Sequence, residues 1–236
     1  QMELPAIPPE LALRCRENGL LLTPEQSRLL SMFVGAVIEW NGKINLISRR
    51  DEANIWFSHI LHSLSLLFYV EIPGAARILD LGTGGGFPGI PLAIARPDVN
   101  LVLLDSIRKK TTAVRDIVDR LALTSVTVWT GRAEELSNSH GAERSFDFVF
   151  TRAVASLGDL IRWSKPYLKT GDGNPPAGRD RVRPPALVAL KGGDLEKEIT
   201  LARLAGRLGS VSVTSMQFPG STSLGLEDKK LVAVTF

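Results

Sequence analysis

The 236-residue sequence predicts an α/β fold: a mostly parallel sheet with helices on both faces, a helical extension before it and an antiparallel hairpin at its end. Three observations carry that expectation. Strand-like apolar runs alternate with helix-length segments between residues 77 and 190, and a glycine-rich turn directly follows the first of those runs. The last two strand-like runs, 210–216 and 231–236, have no helix-length segment between them and so read as a hairpin closing the sheet. The change of pattern divides the chain into a helical extension, 1–72, and a sheet domain, 73–236.

Taken in order, the first 70 residues read as helical. Thr23-Pro24-Glu25-Gln26 is a helix start: Thr23 can cap, Pro24 suits the first helical position, and Gln26 completes a capping box. Leu29, Leu30, Met32, Phe33, Ala36, Val37 and Trp40 then follow helical periodicity until Asn41-Gly42 ends the run. A second helix is expected after Ser48, carrying Ile55, Trp56, Ile60, Leu64 and Leu67 toward Tyr69 as a buried face. After Pro73-Gly74 the expected strands are 77–81, 101–105, 126–129, 146–151 and 186–190, with helices such as 109–121 and 157–168 between them. The segment 171–185 is too rich in Gly and Pro for either element. Arg179, Arg181 and Arg183 make it basic, and a solvated surface loop is favoured there over a phosphate clamp.

Composition narrows the class. Hydrophobic residues are 44% and charged residues 22%, a globular balance. No run approaches the ~18–20 apolar residues of a membrane span. Residues 1–5 lack the basic-then-apolar layout of a secretory leader, with Gln1 read as an addition before Met2. The single cysteine, Cys15, excludes an intramolecular disulfide and a cysteine-rich metal site, so a reducing, cytoplasmic location is expected. Charge is uneven: residues 1–76 hold six Lys/Arg against eight Asp/Glu, and residues 77–236 hold twenty-two against seventeen. That bias tolerates a nucleic-acid partner without requiring one.

The strongest signal is Arg77-Ile78-Leu79-Asp80-Leu81-Gly82-Thr83-Gly84-Gly85-Gly86-Phe87-Pro88-Gly89. A strand runs into glycines, and Pro88 or Pro91 suits the first turn of a helix, whose unpaired N–H groups favour an anionic ligand group. Two cofactor classes compete. A dinucleotide fingerprint is formally present from Gly84 to Gly89, but its first glycine lies too far beyond the strand. S-adenosylmethionine sites open with an acidic residue, a spacer and glycines, as Asp80-Leu81-Gly82-Thr83-Gly84 does. Asp105 ends the next strand, where a carboxylate can accept from ribose hydroxyls in either class. The terminal hairpin resembles the ending of class I methyltransferases and tips the choice to the methyl donor. An NAD(P)-dependent oxidoreductase and a non-catalytic RNA-binding protein with a relict pocket are the alternatives from other classes.

The glycine loop resembles that of the RsmG/GidB family. So do Asp105-Ser106 with Lys109-Lys110, Trp40-Asn41 with Asn45-Leu46, and Ser58-His59-Ile60-Leu61. Arg132-Ala133-Glu134-Glu135, Thr151-Arg152-Ala153 and Leu190-Lys191-Gly192 complete an ordered set spanning 40–193. The resemblance implies a class I, Rossmann-like methyltransferase fold that uses S-adenosylmethionine to methylate N7 of a guanine in 16S small-subunit ribosomal RNA. It implies donor contacts from Asp80, Gly82, Gly84, Phe87, Asp105, Ser106 and Arg152, with Ala133 and Glu134 beside the adenine. Arg152 would reach the reaction centre and, with Lys191, act in catalysis. Asn45, His59 and Lys191 would serve the RNA or the pocket wall. Ser58 and His62 depart from the family pattern, which usually places a basic residue and an aspartate there. Methylation of another RNA position or of a small molecule is the nearest alternative. The expected partner is 16S ribosomal RNA or the small subunit, with no membrane and a monomer as default.

The implied chemistry agrees with what the sequence lacks. Guanine N7 carries an in-plane lone pair, so its attack needs placement rather than deprotonation. The Asx-Pro-Pro-aromatic segment of amino-group methyltransferases is replaced by Thr151-Arg152-Ala153-Val154, and Cys15 lies far from every sheet loop that could need a nucleophile. His59 and His62 share a helical face, but with no further ligand nearby a packing role or an RNA contact is preferred to a metal.

Overall fold

Five runs rich in Val, Ile, Leu and Phe form the parallel strands β1 (Arg77–Leu81), β2 (Asn100–Asp105), β3 (Val126–Thr130), β4 (Phe148–Arg152) and β5 (Ala186–Gly192). β6 (Ser210–Ser215) and β7 (Lys229–Thr235) complete a seven-stranded sheet in the order β3-β2-β1-β4-β5-β7-β6. The computed structural model describes residues 4–152, 155–171, 181–204, 209–218, 221–222, 226 and 228–236. β7 runs antiparallel to both β5 and β6, as the hairpin expectation required.

Alternation along the strands splits the core between the two faces of the sheet. Ile78, Leu101, Leu103, Phe148, Phe150, Val188 and Leu190 face one side. There they join Leu11, Leu30, Phe33, Leu61 and Leu64, so the N-terminal helices share the core of the sheet. Leu79, Leu81, Val102, Leu104, Val149, Leu187 and Ala189 face the other side, against the helix Leu157–Ser164 and Leu195.

Several boundaries follow from local chemistry. Thr23 and Gln26 form the expected capping box of the helix Pro24–Asn41. The expected helix over 157–168 stops at Ser164, two residues before Pro166, which has no N–H to donate. β4 starts at Phe148 rather than at 146; Phe146 makes only an isolated bridge to Leu168. The helix Glu196–Leu204, not anticipated from sequence, carries Leu201 and Leu204 largely exposed and so shows little apolar stripe.

The expected helix from Ser48 to Tyr69 is broken. A short helix, Arg49–Glu52, precedes a π-helical stretch, Trp56–Leu61, and two short α-segments, His62–Leu64 and Leu66–Tyr69. Two serine hydroxyls add bonds to backbone carbonyls there: Ser63 Oγ donates to His59 O at 2.6 Å and Ser65 Oγ to His62 O at 2.7 Å, bonds of a kind that bend helices. Residues 59–66 are all buried, a run that an amphipathic α-helix with a solvent face could not provide.

In the basic loop, residues 172–180, including Arg179, lie outside the described residues, as do Ala153 and Val154. Arg181 is exposed, and Arg183 is exposed and pairs with Glu71 at 3.0 Å.

Candidate active site

Between β1 and β4 the strand order reverses direction, and there the carboxyl ends of the strands open onto a crevice. A cavity of about 550 Å³ fills it. Its wall includes Gly82, Gly84 and Phe87 after β1, Asp105 and Ser106 at the end of β2, Ala133 and Glu134 after β3, and Arg152 closing β4. His59 of the π-helix and Leu46 and Ile47 of the preceding loop close the opposite side. Nine of the twelve candidate site residues named from sequence therefore line one cavity, and Asp80, Asn45 and Lys191 do not.

Asp80 sits beneath the glycine loop with no exposed surface. Its Oδ2 accepts from Thr83 Oγ1 at 2.7 Å and from the Gly89 N–H at 2.8 Å. The expectation of a direct donor contact is therefore corrected: Asp80 shapes the loop from below. Gly89 must lack a side chain there, because a Cβ would stand 2.2 Å from Leu103 Cδ2 and 2.7 Å from Asp80 Oδ2. Gly84 has the other glycine requirement, a φ of +56° with open space where a Cβ would point. A ligand can approach its backbone closely.

Burial sets opposing titrations in this region. Desolvation pushes the Asp80 carboxyl up to about 7. Desolvation, and then the Arg152 charge, pushes His59 down to about 4 and His62 down to about 3. Between about pH 4.5 and 6, native Asp80 is protonated while an unfolded aspartate is ionised, so acidification favours folding through Asp80. The two imidazoles are neutral when native and charged when unfolded, so acidification opposes folding through them. Asp80→Asn removes the Asp80 contribution. Its stability should then fall more steeply on acidification than that of the unsubstituted protein, by up to one proton or ~1.4 kcal/mol per pH unit. Denaturant unfolding across this window checks it, and parallel slopes would contradict it.

Asp105 is 9% exposed and lines the cavity. Oδ2 accepts from the Gly84 N–H and Oδ1 from the Ile107 N–H, each at 2.9 Å. Each oxygen keeps capacity for a further donor, as a ribose diol would need. Ile107, 42% exposed, adds apolar surface to the same rim.

Arg152 reaches the cavity across from the glycine loop. Its guanidinium lies 5.3 Å from the Phe87 ring centroid, donates to Ser58 O at 3.3 Å and bonds His59 Nδ1. Desolvation lowers Arg152 to about 10, which leaves it protonated at neutral pH. The His59 ring packs 4.9 Å from Phe87, which in turn lies 5.0 Å from Phe33.

Lys191 is the second correction. Arg152 pairs in register with Leu190, so strand alternation sends Lys191 to the opposite face of the sheet. Its Nζ donates to Ala155 O at 2.9 Å and pairs with Glu198 at 2.9 Å, away from the cavity wall. Asn45 is exposed and lines an adjoining groove of about 450 Å³ with Ser48, Arg49 and Lys110. Leu46, Ile47 and Lys110 belong to both groove and cavity.

The loop between cavity and groove is shaped by Asn41. Its Oδ1 accepts from the N–H groups of Leu46 and Ile47 at 2.9 and 3.1 Å, while its Nδ2 donates to Glu52 at 2.6 Å. Leu46 is thereby set on the glycine loop, where a Cβ on Gly85 would stand 3.3 Å from Leu46 Cβ. Trp163 also lines the cavity, and no sequence signal pointed to it. Among the described residues no group of three or more His, Cys, Asp or Glu gathers as a metal site, and no helix is long and apolar enough to cross a membrane.

Comparison with known proteins decides between the cofactor classes. The family model of rRNA small subunit methyltransferase G (GidB) matches residues 26–221. The chain belongs to this family. The small-subunit methyltransferase G of Chlorobium luteolum is 40% identical over 192 residues, covering 81% of this chain and 73% of that protein. Its counterpart in Chlorobium phaeobacteroides is 38% identical over 214 residues, covering 90% and 88%. The solved O-methyltransferase of Bacillus cereus, in complex with SAH, is 21% identical with a TM-score of 0.53, covering 86% of this chain and 90% of that one. That likeness shows a shared fold. The methyltransferase G family is S-adenosylmethionine-dependent, so the dinucleotide reading of the glycine loop is set aside.

The observed wall fits such a donor. The cavity has the volume of a cofactor site. Asp105 stands at the end of β2, Gly84 leaves its backbone open to a ligand, and Ala133 and Ile107 offer apolar surface.

Proposed function

We propose that the protein methylates N7 of a guanine in 16S ribosomal RNA, with 1–72 serving as a helical extension that completes the site of the 73–236 domain. Membership in the methyltransferase G family supplies the enzyme class and the small-subunit RNA substrate. The observation that carries the choice of N7 is the absence of a poised base at the Arg152 side of the cavity, among the described residues. The one imidazole there has its Nδ1 engaged by Arg152, and the cavity's carboxylates, Asp105 and Glu134, follow β2 and β3, on the other side of β1 from Arg152. Such a site suits an acceptor that attacks with its own lone pair.

Gly82, Gly84, Phe87, Asp105 and Ser106 would hold the donor, with Ala133 and Glu134 beside its adenine. Bound there, S-adenosylmethionine would supply the sulfonium methyl for transfer to the N7 lone pair. Arg152 carries N–H groups suited to guanine O6, the acceptor beside N7, and so can orient the base while leaving the N7 lone pair free. Phe87 and Leu46 exclude water from the same corner. The adjoining groove gives the RNA strand a path, lined by Asn45, with Arg49 and Lys110 offering cations to phosphates.

Transfer of labelled methyl to small-subunit RNA, followed by cleavage selective for N7-methylguanine, tests the reaction. Label at any other atom would refute it. The groove has its own test. Arg49→Glu with Lys110→Glu should raise the KM for RNA by roughly ten- to a hundredfold and lower the salt slope of binding by about two. An unchanged slope would move the RNA path elsewhere.

A further inference from the structure

We infer that His59 is a positioning residue for this methyl transfer, holding the Arg152 guanidinium in the cavity. The inference rests on the methyl-transfer reading above. Three residues from separate places meet here: Asp51 at the short helix Arg49–Glu52, His59 in the π-helix, and Arg152 at the end of β4. His59 Nδ1 bonds a terminal nitrogen of Arg152, and His59 Nε2 lies 3.6 Å from Asp51 Oδ2. The His59 side chain is 8% exposed, wedged against Phe87, and cannot turn freely.

The chemistry assigns the tautomer. Arg152 can only donate, so Nδ1 must offer its lone pair, and the ring hydrogen sits on Nε2 facing Asp51. A protonated imidazole would have no lone pair for Arg152 and would repel it; burial holds His59 neutral, down to about 4. Ser58 O supplies the second acceptor. Arg152 is thus held by two uncharged acceptors, and no ion pair joins it to a carboxylate among the described residues. A carboxylate would cancel its charge and compete for its fork. Neutral acceptors fix the guanidinium and leave its charge and remaining N–H groups for the substrate. The π-helical turn, which displaces His59 relative to a regular α-helix, brings Ser58 O and His59 Nδ1 to the same guanidinium.

The test compares His59→Ala, His59→Asn and His59→Gln in single-turnover methyl transfer to small-subunit RNA, with donor affinity measured by calorimetry. Asparagine places an acceptor oxygen near the Nδ1 position; glutamine places it nearer Nε2. Alanine should slow the step at saturating RNA by roughly ten- to a hundredfold, as for loss of one preorganising hydrogen bond. Asparagine should stay within about threefold of the unsubstituted protein and glutamine should not. Added to Arg152→Ala, His59→Ala should change the rate by less than about twofold, because the two act as a unit. If His59→Ala fails to fold, the asparagine and glutamine variants still decide. Equal losses for both, additive losses in the double variant, or a rise in RNA KM at unchanged rate would overturn the inference. No transfer by the unsubstituted protein would instead overturn the function on which it rests.

Discussion

Arg152→Ala is expected to slow single-turnover methyl transfer by roughly ten- to a thousandfold, the range for losing one preorganised donor at a reaction centre. Arg152 has the only guanidinium on the β4 side of the cavity among the described residues, and it is held rigidly by Ser58 O and His59. Lysine should not restore the rate, since a point charge cannot reproduce a planar fork held at two acceptors. With the unsubstituted enzyme the step should be nearly flat between about pH 8 and 9. The displaced groups around the reaction corner titrate outside that window: Asp80 at about 7, His59 at about 4 and Arg152 at about 10. A tenfold rise per pH unit there would require a general base and would move the methylated atom away from N7.

Asp105→Ala is expected to weaken S-adenosylmethionine binding by roughly ten- to a hundredfold, read by calorimetry. Two losses combine. The carboxylate that would accept from the ribose is gone, and the Gly84 and Ile107 N–H groups that it held at 2.9 Å are released, loosening the loops on both sides of the donor. Charge-assisted bonds of this kind contribute ~1.5–3 kcal/mol each, more than the predicted loss in affinity requires. The fold should survive, because Asp105 sits at the rim of the sheet and the core beneath it is built from Leu101, Leu103 and their neighbours. Unchanged affinity would show that the donor pocket lies elsewhere.

Much of this architecture is legible where one short stretch of chain contains the whole cause. The capping box at Thr23 and Gln26 needs four residues and was readable from them. β1 occupies the predicted residues, since an apolar run bounded by glycines leaves little choice. The glycine loop announced a ligand site for the same reason. The Ser48–Tyr69 segment misled because its apolar spacing suits an α-helix, while the burial of every residue from 59 to 66 depends on elements distant in the chain. Asp80 misled too. A carboxylate two residues before a glycine loop can face a ligand or brace the loop, and only the packing of Gly89 against it shows the second.

By itself the sequence determined the alternation of strands and helices, the closing hairpin and the loops that carry Gly82, Gly84, Phe87 and Asp105, because hydrophobic periodicity and glycine placement act over a few residues. Tertiary structure alone decided which cation faces the cavity. Arg152 and Lys191 both end neighbouring strands, but register places Arg152 beside Leu190 and turns Lys191 to the far face, where Glu198 binds it. It also brought Asp51 and His59 to Arg152 across more than ninety residues, and set their protonation by burial. Side-chain parity between strands and desolvation depend on segments distant in the chain, so no local pattern could have carried them.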